Sequence, residues 1–323
     1  MKVLIISGFL GAGKTTFIKE LVNRTGKDIA IFENEYAAEG VDKSILEDGI
    51  KNGEVNIFEL EQGCICCSTK GDFKASVLTI ANSVDPEILI VEPTGIGMLS
   101  NVIANIKELE YDRIKLLDPV TIVDIHSIER YHKEYKDLFE DQIKGSSMIL
   151  LSKSESSDSD EKTAAKKLIE AINPGAEVIT QHYSGQDNDF FNKLLNTELE
   201  REIQEREEDP ENMPENFSLE GITFASPGHL IVFMEDLVRG EYGDIIRAKG
   251  HVDINGDTFR FESADRTYYI TGGSTDKSSA AFIGHGIRRQ ELRRKLLKVN
   301  SAARGIIKKD MTKLLRNRRS DIL

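Results

Sequence analysis

Residues 2–16, "KVLIISGFLGAGKTT", constrain the fold more than any other stretch: an apolar run, a glycine-rich turn and a helix-forming sequence follow one another without a gap. Gly8, Gly13, Lys14 and Thr15 satisfy the spacing GxxxxGK[ST], which works only where a buried strand ends and a helix begins. Gly8, Gly11, Ala12 and Gly13 then turn backbone N–H groups toward phosphate oxygens, and the helix N-terminus adds the positive end of its dipole. Lys14 is expected to meet the β and γ phosphates, Thr15 to offer its hydroxyl to Mg²⁺, and Thr16 to complete the loop. As a loop residue Lys14 is also expected to be exposed, so that its removal spares the core. A secretory leader opens similarly, with one lysine and a short apolar stretch, but this one runs straight into the complete phosphate motif.

The same alternation continues along the chain. Apolar runs at 2–7, 28–33, 55–60, 87–92, 120–124 and 147–152 are nearly continuous, which suits strands buried on both faces of a mainly parallel sheet. Helical stretches at 14–24, 72–84, 98–108 and 161–172 lie between them, so the expected fold is a doubly wound α/β domain. "SESSDSDE" at 154–161 reads as a surface loop carrying an N-cap for the next helix. The expected organisation is a P-loop domain at 1–198, a charged linker at 199–216 containing Pro210 and Pro214, a smaller α+β domain at 217–298, and a basic helical tail at 299–323.

A P-loop enzyme needs an acid near Mg²⁺ and an element that senses the γ-phosphate. "ILIVEPTG" offers Glu92 at the end of a buried strand and Gly95 three residues on, an acid-xx-Gly switch. Guanine is commonly read by Asn-Lys-x-Asp after a later strand. Here the loop "SKSE" has Ser152 for the Asn, retains Lys153, and has Glu155 for the Asp, a carboxylate that can still accept from guanine N1 and N2. Lys14 and Glu92 are the candidate catalytic groups, with GTP as substrate.

All three cysteines, Cys64, Cys66 and Cys67, fall in "GCICCS". An odd number crowded together is no disulfide framework, and points to a reducing compartment such as the cytoplasm. Thiolates are soft ligands for Zn²⁺, and Co²⁺ takes similar tetrahedral sites. In an extended backbone Cys64 and Cys66 point the same way and Cys67 the other. A set of two or three thiolates needs an outside ligand, which suits a metal that must be released. Inert cysteines behind the phosphate loop, or a redox thiol cluster, remain open on the residues alone.

Charge is divided. From Arg288 onward there are 13 Lys and Arg against 3 Asp and Glu, a net of +10, so the chain total of −13 leaves −23 for the rest. A basic tail can serve nucleic acid, but here Leu and Ile recur at helical spacing, as in amphipathic helices docked on an acidic body. No run approaches the ~20 apolar residues of a membrane helix. The oligomeric state has no signature.

Taken together, "SGFLGAGKTT", "ENEY", "GCICC", "EPTG" and "RAKG" resemble the CobW-like family of P-loop GTPases, of CobW/HypB/UreG type, over residues 1–298. The resemblance implies a GTPase whose nucleotide state controls metal at Cys64, Cys66 and Cys67, acting as metallochaperone or metallocentre assembly factor with a metalloenzyme or cofactor-assembly client. It also makes Glu35 of "ENEY" a candidate ligand for the transition metal or Mg²⁺, although Tyr36 and Ala37 replace the family's Phe and Gly, and no histidine-rich loop is present. Two other readings fit the same scaffold: a GTP-dependent activator of a corrinoid or metalloenzyme client without metal delivery, and a P-loop small-molecule ligase or kinase.

Overall fold

The computed structural model describes residues 1–33, 55–59, 70–110, 113–205, 214–264, 266–273 and 278–297. Glu35, Cys64, Cys66, Cys67 and the basic tail beyond 297 lie outside the described residues.

The N-terminal half is an eight-stranded parallel sheet flanked by helices. Its strands are β1 (Lys2–Gly8), β2 (Ile29–Glu33), β3 (Asn56–Glu59), β4 (Ile88–Glu92), β5 (Lys115–Leu116), β6 (Val120–Asp124), β7 (Met148–Ser152) and β8 (Glu177–Ile179). They lie in the order β3-β2-β4-β1-β6-β7-β8, with β5 also pairing β1. The five central strands are buried along almost their whole length, as their unbroken apolar sequences require. The helices are α1 (Lys14–Thr25), α2 (Lys70–Ser83), α3 (Leu99–Lys107), α4 (Ile128–Glu134), α5 (Lys136–Lys144), α6 (Ser159–Ile172) and α7 (Asn188–Leu194). Before α6 the Asp158 carboxylate accepts from the amides of Asp160 and Glu161, the N-cap expected in the acidic serine loop.

The C-terminal half is a five-stranded antiparallel sheet in the order β12-β11-β10-β13-β9, with helices α8 (Pro227–Val238) and α9 (Arg289–Leu296). Its strands are β9 (Glu215–Glu220), β10 (Asp244–Ile254), β11 (Asp257–Ala264), β12 (Thr267–Gly272) and β13 (Ser279–His285). One face is apolar: Ala248, Val252, Phe261 and Phe282 pack with Leu230, Phe233, Met234 and Leu237 of α8.

Two features bear on how the halves are connected. Leu199 donates its amide to the Leu116 carbonyl and packs with Ile203 on the parallel sheet's core, while Arg201 bonds Asp118 and the Gly145 carbonyl. The start of the charged stretch expected at 199–216 is thus docked on the first half. Second, one apolar cluster spans both halves, with Phe9, Leu10, Ile96, Val123 and Tyr131 on one side and Ile246 and Ile283 on the other. At its margin Tyr135 stacks on His285, ring centroids 5.4 Å apart. No helix among the described residues is long and apolar enough to cross a membrane.

Candidate functional site

The phosphate motif lies at the carboxyl end of β1, where it turns into α1. Gly8 ends the strand at φ 139°, and a Cβ there would fall 2.3 Å from the carbonyl oxygen of Ile122 on β6, so only glycine lets the chain leave the sheet at this point. Contrary to the sequence expectation, Lys14 is buried. Its ammonium donates to the carbonyls of Gly8 and Phe9 at 3.1 and 3.3 Å and lies 3.9 Å from Glu92 Oε1. Gly8 is the last residue of the β1 ladder and Phe9 the first beyond it, so the lysine is held at the turn itself.

Glu92, buried at the end of β4, accepts from the Thr15 hydroxyl, with both carboxylate oxygens at 3.3 Å. A hydroxyl beside a buried carboxylate at the phosphate loop is a hard-oxygen set of the kind Mg²⁺ prefers, so these residues fit the ion. Sequence reasoning passed over Glu33, also buried, which ends β2 in register with Glu92. Its signal was the same one that marked Glu92: an acid closing an apolar run. Among the described residues no group of three or more His, Cys, Asp or Glu comes together to hold a metal ion.

Gly95 packs beneath the phosphate loop. A Cβ on it would meet the Leu10 amide nitrogen at 2.5 Å, and its carbonyl accepts from the Gln142 side chain. The buried Ser152 hydroxyl donates to the Ala12 carbonyl at 2.6 Å and so pins the loop from β7. Lys153, at φ 56°, reaches the buried Asp124 carboxylate at 2.7 Å. Glu155 stands apart, 60% exposed and 3.1 Å from His182 Nε2.

Between the halves is a cavity of about 320 Å³, lined from the loop side by Gly11, Gly13, Lys14, Thr15, Thr16, Glu92 and Lys153. Its other wall is the second face of the antiparallel sheet, through Arg247, Arg260, Glu262, Ala264, Thr267 and Tyr269. Strand alternation and register explain the placement. Arg247 pairs with Ala264, Lys249 with Glu262 and His251 with Arg260 across β10 and β11, and Glu262 pairs with Tyr269 on β12, so all these side chains share one face. Arg247 and Arg260 each donate to Glu262 at 3.1 Å, to Oε1 and Oε2 respectively, and the Tyr269 hydroxyl also bonds Oε2. Burial by itself would raise the Glu262 carboxyl, but Lys249, Arg247, the Tyr269 hydroxyl and Arg260 together hold it below the ordinary carboxylate range. From the sequence, "RAKG" (247–250) was noted only as part of the family resemblance, and no role in the site was given to any residue of this wall. Its signal was the period-two placement of charge in "RAKGH" and "RFES" within otherwise apolar strands.

Two family descriptions match the chain: the CobW/HypB/UreG nucleotide-binding domain over residues 2–180 and the cobalamin synthesis protein cobW C-terminal domain over 216–300. Along most of its length the chain is similar to a protein of Sinorhizobium sp named zinc chaperone CobW, with 28% identity over 88% of this chain and 92% of that one. It is likewise similar to the Escherichia coli protein named zinc chaperone YjiA, with 26% identity over 90% of this chain and 96% of the other. A Schizosaccharomyces pombe protein named zinc-regulated GTPase metalloprotein activator 1 is 30% identical over 58% of this chain and 47% of its own length.

Proposed function

The chain belongs to the CobW/HypB/UreG family and is a GTPase, and from that premise we propose that its nucleotide state controls a Zn²⁺ site built from Cys64, Cys66 and Cys67, so that the protein loads and releases the metal for a metalloenzyme client. The observation that carries this reading is the coincidence of three thiols within residues 64–67 with near full-length similarity to two proteins named zinc chaperones. Position supports it too. In sequence the thiols follow the carboxyl end of β3, whose last residue Glu59 is in register with Glu33, itself in register with Glu92. That is the edge from which the phosphate loop emerges, and in such folds the loops at the carboxyl ends of the strands converge on the ligand.

In this reading Gly8, Gly11, Ala12, Gly13 and Thr16 cradle the phosphates, Lys14 swings from its loop carbonyls to the β and γ oxygens, and Thr15 and Glu92 hold Mg²⁺. Mg²⁺, when bound, offsets charge on the phosphates being separated. Glu35 joins one of the two metal sets, Gly95 follows the γ-phosphate, and Ser152, Lys153 and Glu155 form the base-reading loop. Residues 1–198 act as the GTPase unit and 217–298 as the unit that closes over it, with 199–216 between them and 299–323 as a basic extension. The clustered thiols suit the reducing cytoplasm.

The test is titration of Zn²⁺ and Co²⁺ into the apo, GDP-bound and non-hydrolysable-GTP-bound protein, repeated with Cys66→Ala and Cys67→Ala. Tightest binding in the GTP form is expected, by a coupling of about 1–3 kcal/mol, with metal raising GTP affinity by the same factor. Equal affinities in all three states would remove the coupling and leave the alternative in which GTP hydrolysis remodels a client without metal delivery.

A further inference from the structure

The antiparallel sheet brings two arginines to a cavity whose opposite wall is the phosphate loop. Its lining carries four cations, Lys14, Lys153, Arg247 and Arg260, against two carboxylates, Glu92 and Glu262. A cavity of this size, with an excess of positive charge and walls of low dielectric constant, selects an anion, and its floor is already the loop that takes phosphate. The loop and the second wall are in contact, since a Cβ on Gly11 would stand 3.3 Å from that of Ala264.

An ion-pair cluster kept for stability alone is a poor explanation of this face. Replacing a buried arginine–carboxylate cluster by apolar residues of similar volume is often neutral or stabilising, and the opposite face of the same strands is filled by such residues. Glu262 instead spreads two guanidinium groups over one carboxylate, one to each oxygen, and fixes where their remaining N–H groups point.

We propose that Arg247 and Arg260 contact the γ-phosphate of bound GTP and stabilise the charge that develops on it during hydrolysis, with Glu262 as the residue that positions them. The inference rests on reading residues 8–16 as the phosphate site. In the step, a water oxygen bonds to the γ-phosphorus while the bond from that phosphorus to the β–γ bridging oxygen breaks. The bridging oxygen keeps the electron pair and leaves on GDP, and a water proton passes to solvent as inorganic phosphate departs. Charge grows on the bridging and γ oxygens, where an arginine supplied by the same chain acts in place of one from a partner.

The experiment uses the full chain and compares Arg247→Ala, Arg260→Ala, their Lys counterparts, Glu262→Gln and Lys14→Ala. Single-turnover hydrolysis at saturating GTP, GDP affinity, and trapping of GDP with aluminium fluoride are measured for each. Either alanine variant should lose about 10²–10³-fold in rate while GDP affinity stays within about threefold, and should fail to trap aluminium fluoride. The Lys variants should recover part of the rate, because charge returns without the two-pronged geometry. Glu262→Gln should lower the single-turnover rate and leave GDP affinity within about threefold. Wild-type rates in both alanine variants overturn the proposal, as does a loss of rate matched by an equal loss of GDP affinity. If an alanine variant does not fold, its Lys variant decides: wild-type rate and trapping there count against a geometric role. Full hydrolysis in Lys14→Ala sinks the phosphate-site reading itself, a separate failure from that of the arginines.

Discussion

Lys14 is buried yet pairs with loop carbonyls and a carboxylate rather than with core side chains, so its loss removes phosphate charge without opening an apolar void. Lys14→Ala is expected to abolish GTP hydrolysis and to leave the far-ultraviolet circular dichroism spectrum unchanged. Gly95 presents the opposite case. A methyl group at 2.5 Å from the Leu10 amide nitrogen meets backbone that cannot rotate away, so Gly95→Ala should cost about 1–3 kcal/mol in denaturant unfolding and weaken GTP binding by displacing the loop. The sequence marked Gly95 as a switch residue, and its packing under the loop supplies a steric reason for glycine that spacing alone did not contain. Ser152 was legible only as a departure from a base-reading motif. Its hold on the Ala12 carbonyl depends on β7 lying close to the phosphate loop, a tertiary fact with no local signature. Glu155 keeps its expected role in nucleotide choice as a test: GTP should bind more tightly than ATP, and Glu155→Ala should narrow the gap measured by competition.

At the scale of elements, the parallel strands were readable because a strand buried on both faces leaves an unbroken apolar run, and β1, β2, β4, β6 and β7 fall within a residue or two of the expected limits. Helices α4 and α5 were not among the expected helical stretches. The chain breaks at Tyr135 (φ −130°, ψ 45°), so each piece is too short to show a sustained period. The charged face of β10 and β11 was hidden for another reason: alternating charge ordinarily marks a solvent face, and here that face turns inward. This pairing has a pH signature. The Glu262 carboxyl is held below its unfolded value, near 4.3, so its contribution to stability is present above that pH and is lost as the pH falls through the lower folded value. Thermal midpoints followed from neutral pH downward should therefore drop more steeply below about pH 4 in the native chain than in Glu262→Gln. A cap behaves locally by comparison: Asp158→Ala should cost about 1 kcal/mol in unfolding and leave GTP turnover unchanged.

On the scale of the whole molecule, the order of the two halves was legible, but their mutual packing was not, because Ile246 and Ile283 look like ordinary core residues of the second half. Ile246→Ala should therefore act at a distance. It should lower stability by about 2–5 kcal/mol and speed GDP dissociation in stopped-flow measurements, although the side chain does not line the cavity. The apolar seam behind that effect also governs the protein's sense of time. If nucleotide sits in the cavity between the halves and its release requires the seam to part, parting displaces solvent along two broad surfaces. Resetting should therefore obey friction: thickening the medium with glycerol or sucrose should prolong the residence of GDP, while bond cleavage in a single turnover at saturating GTP should proceed at an unaltered pace.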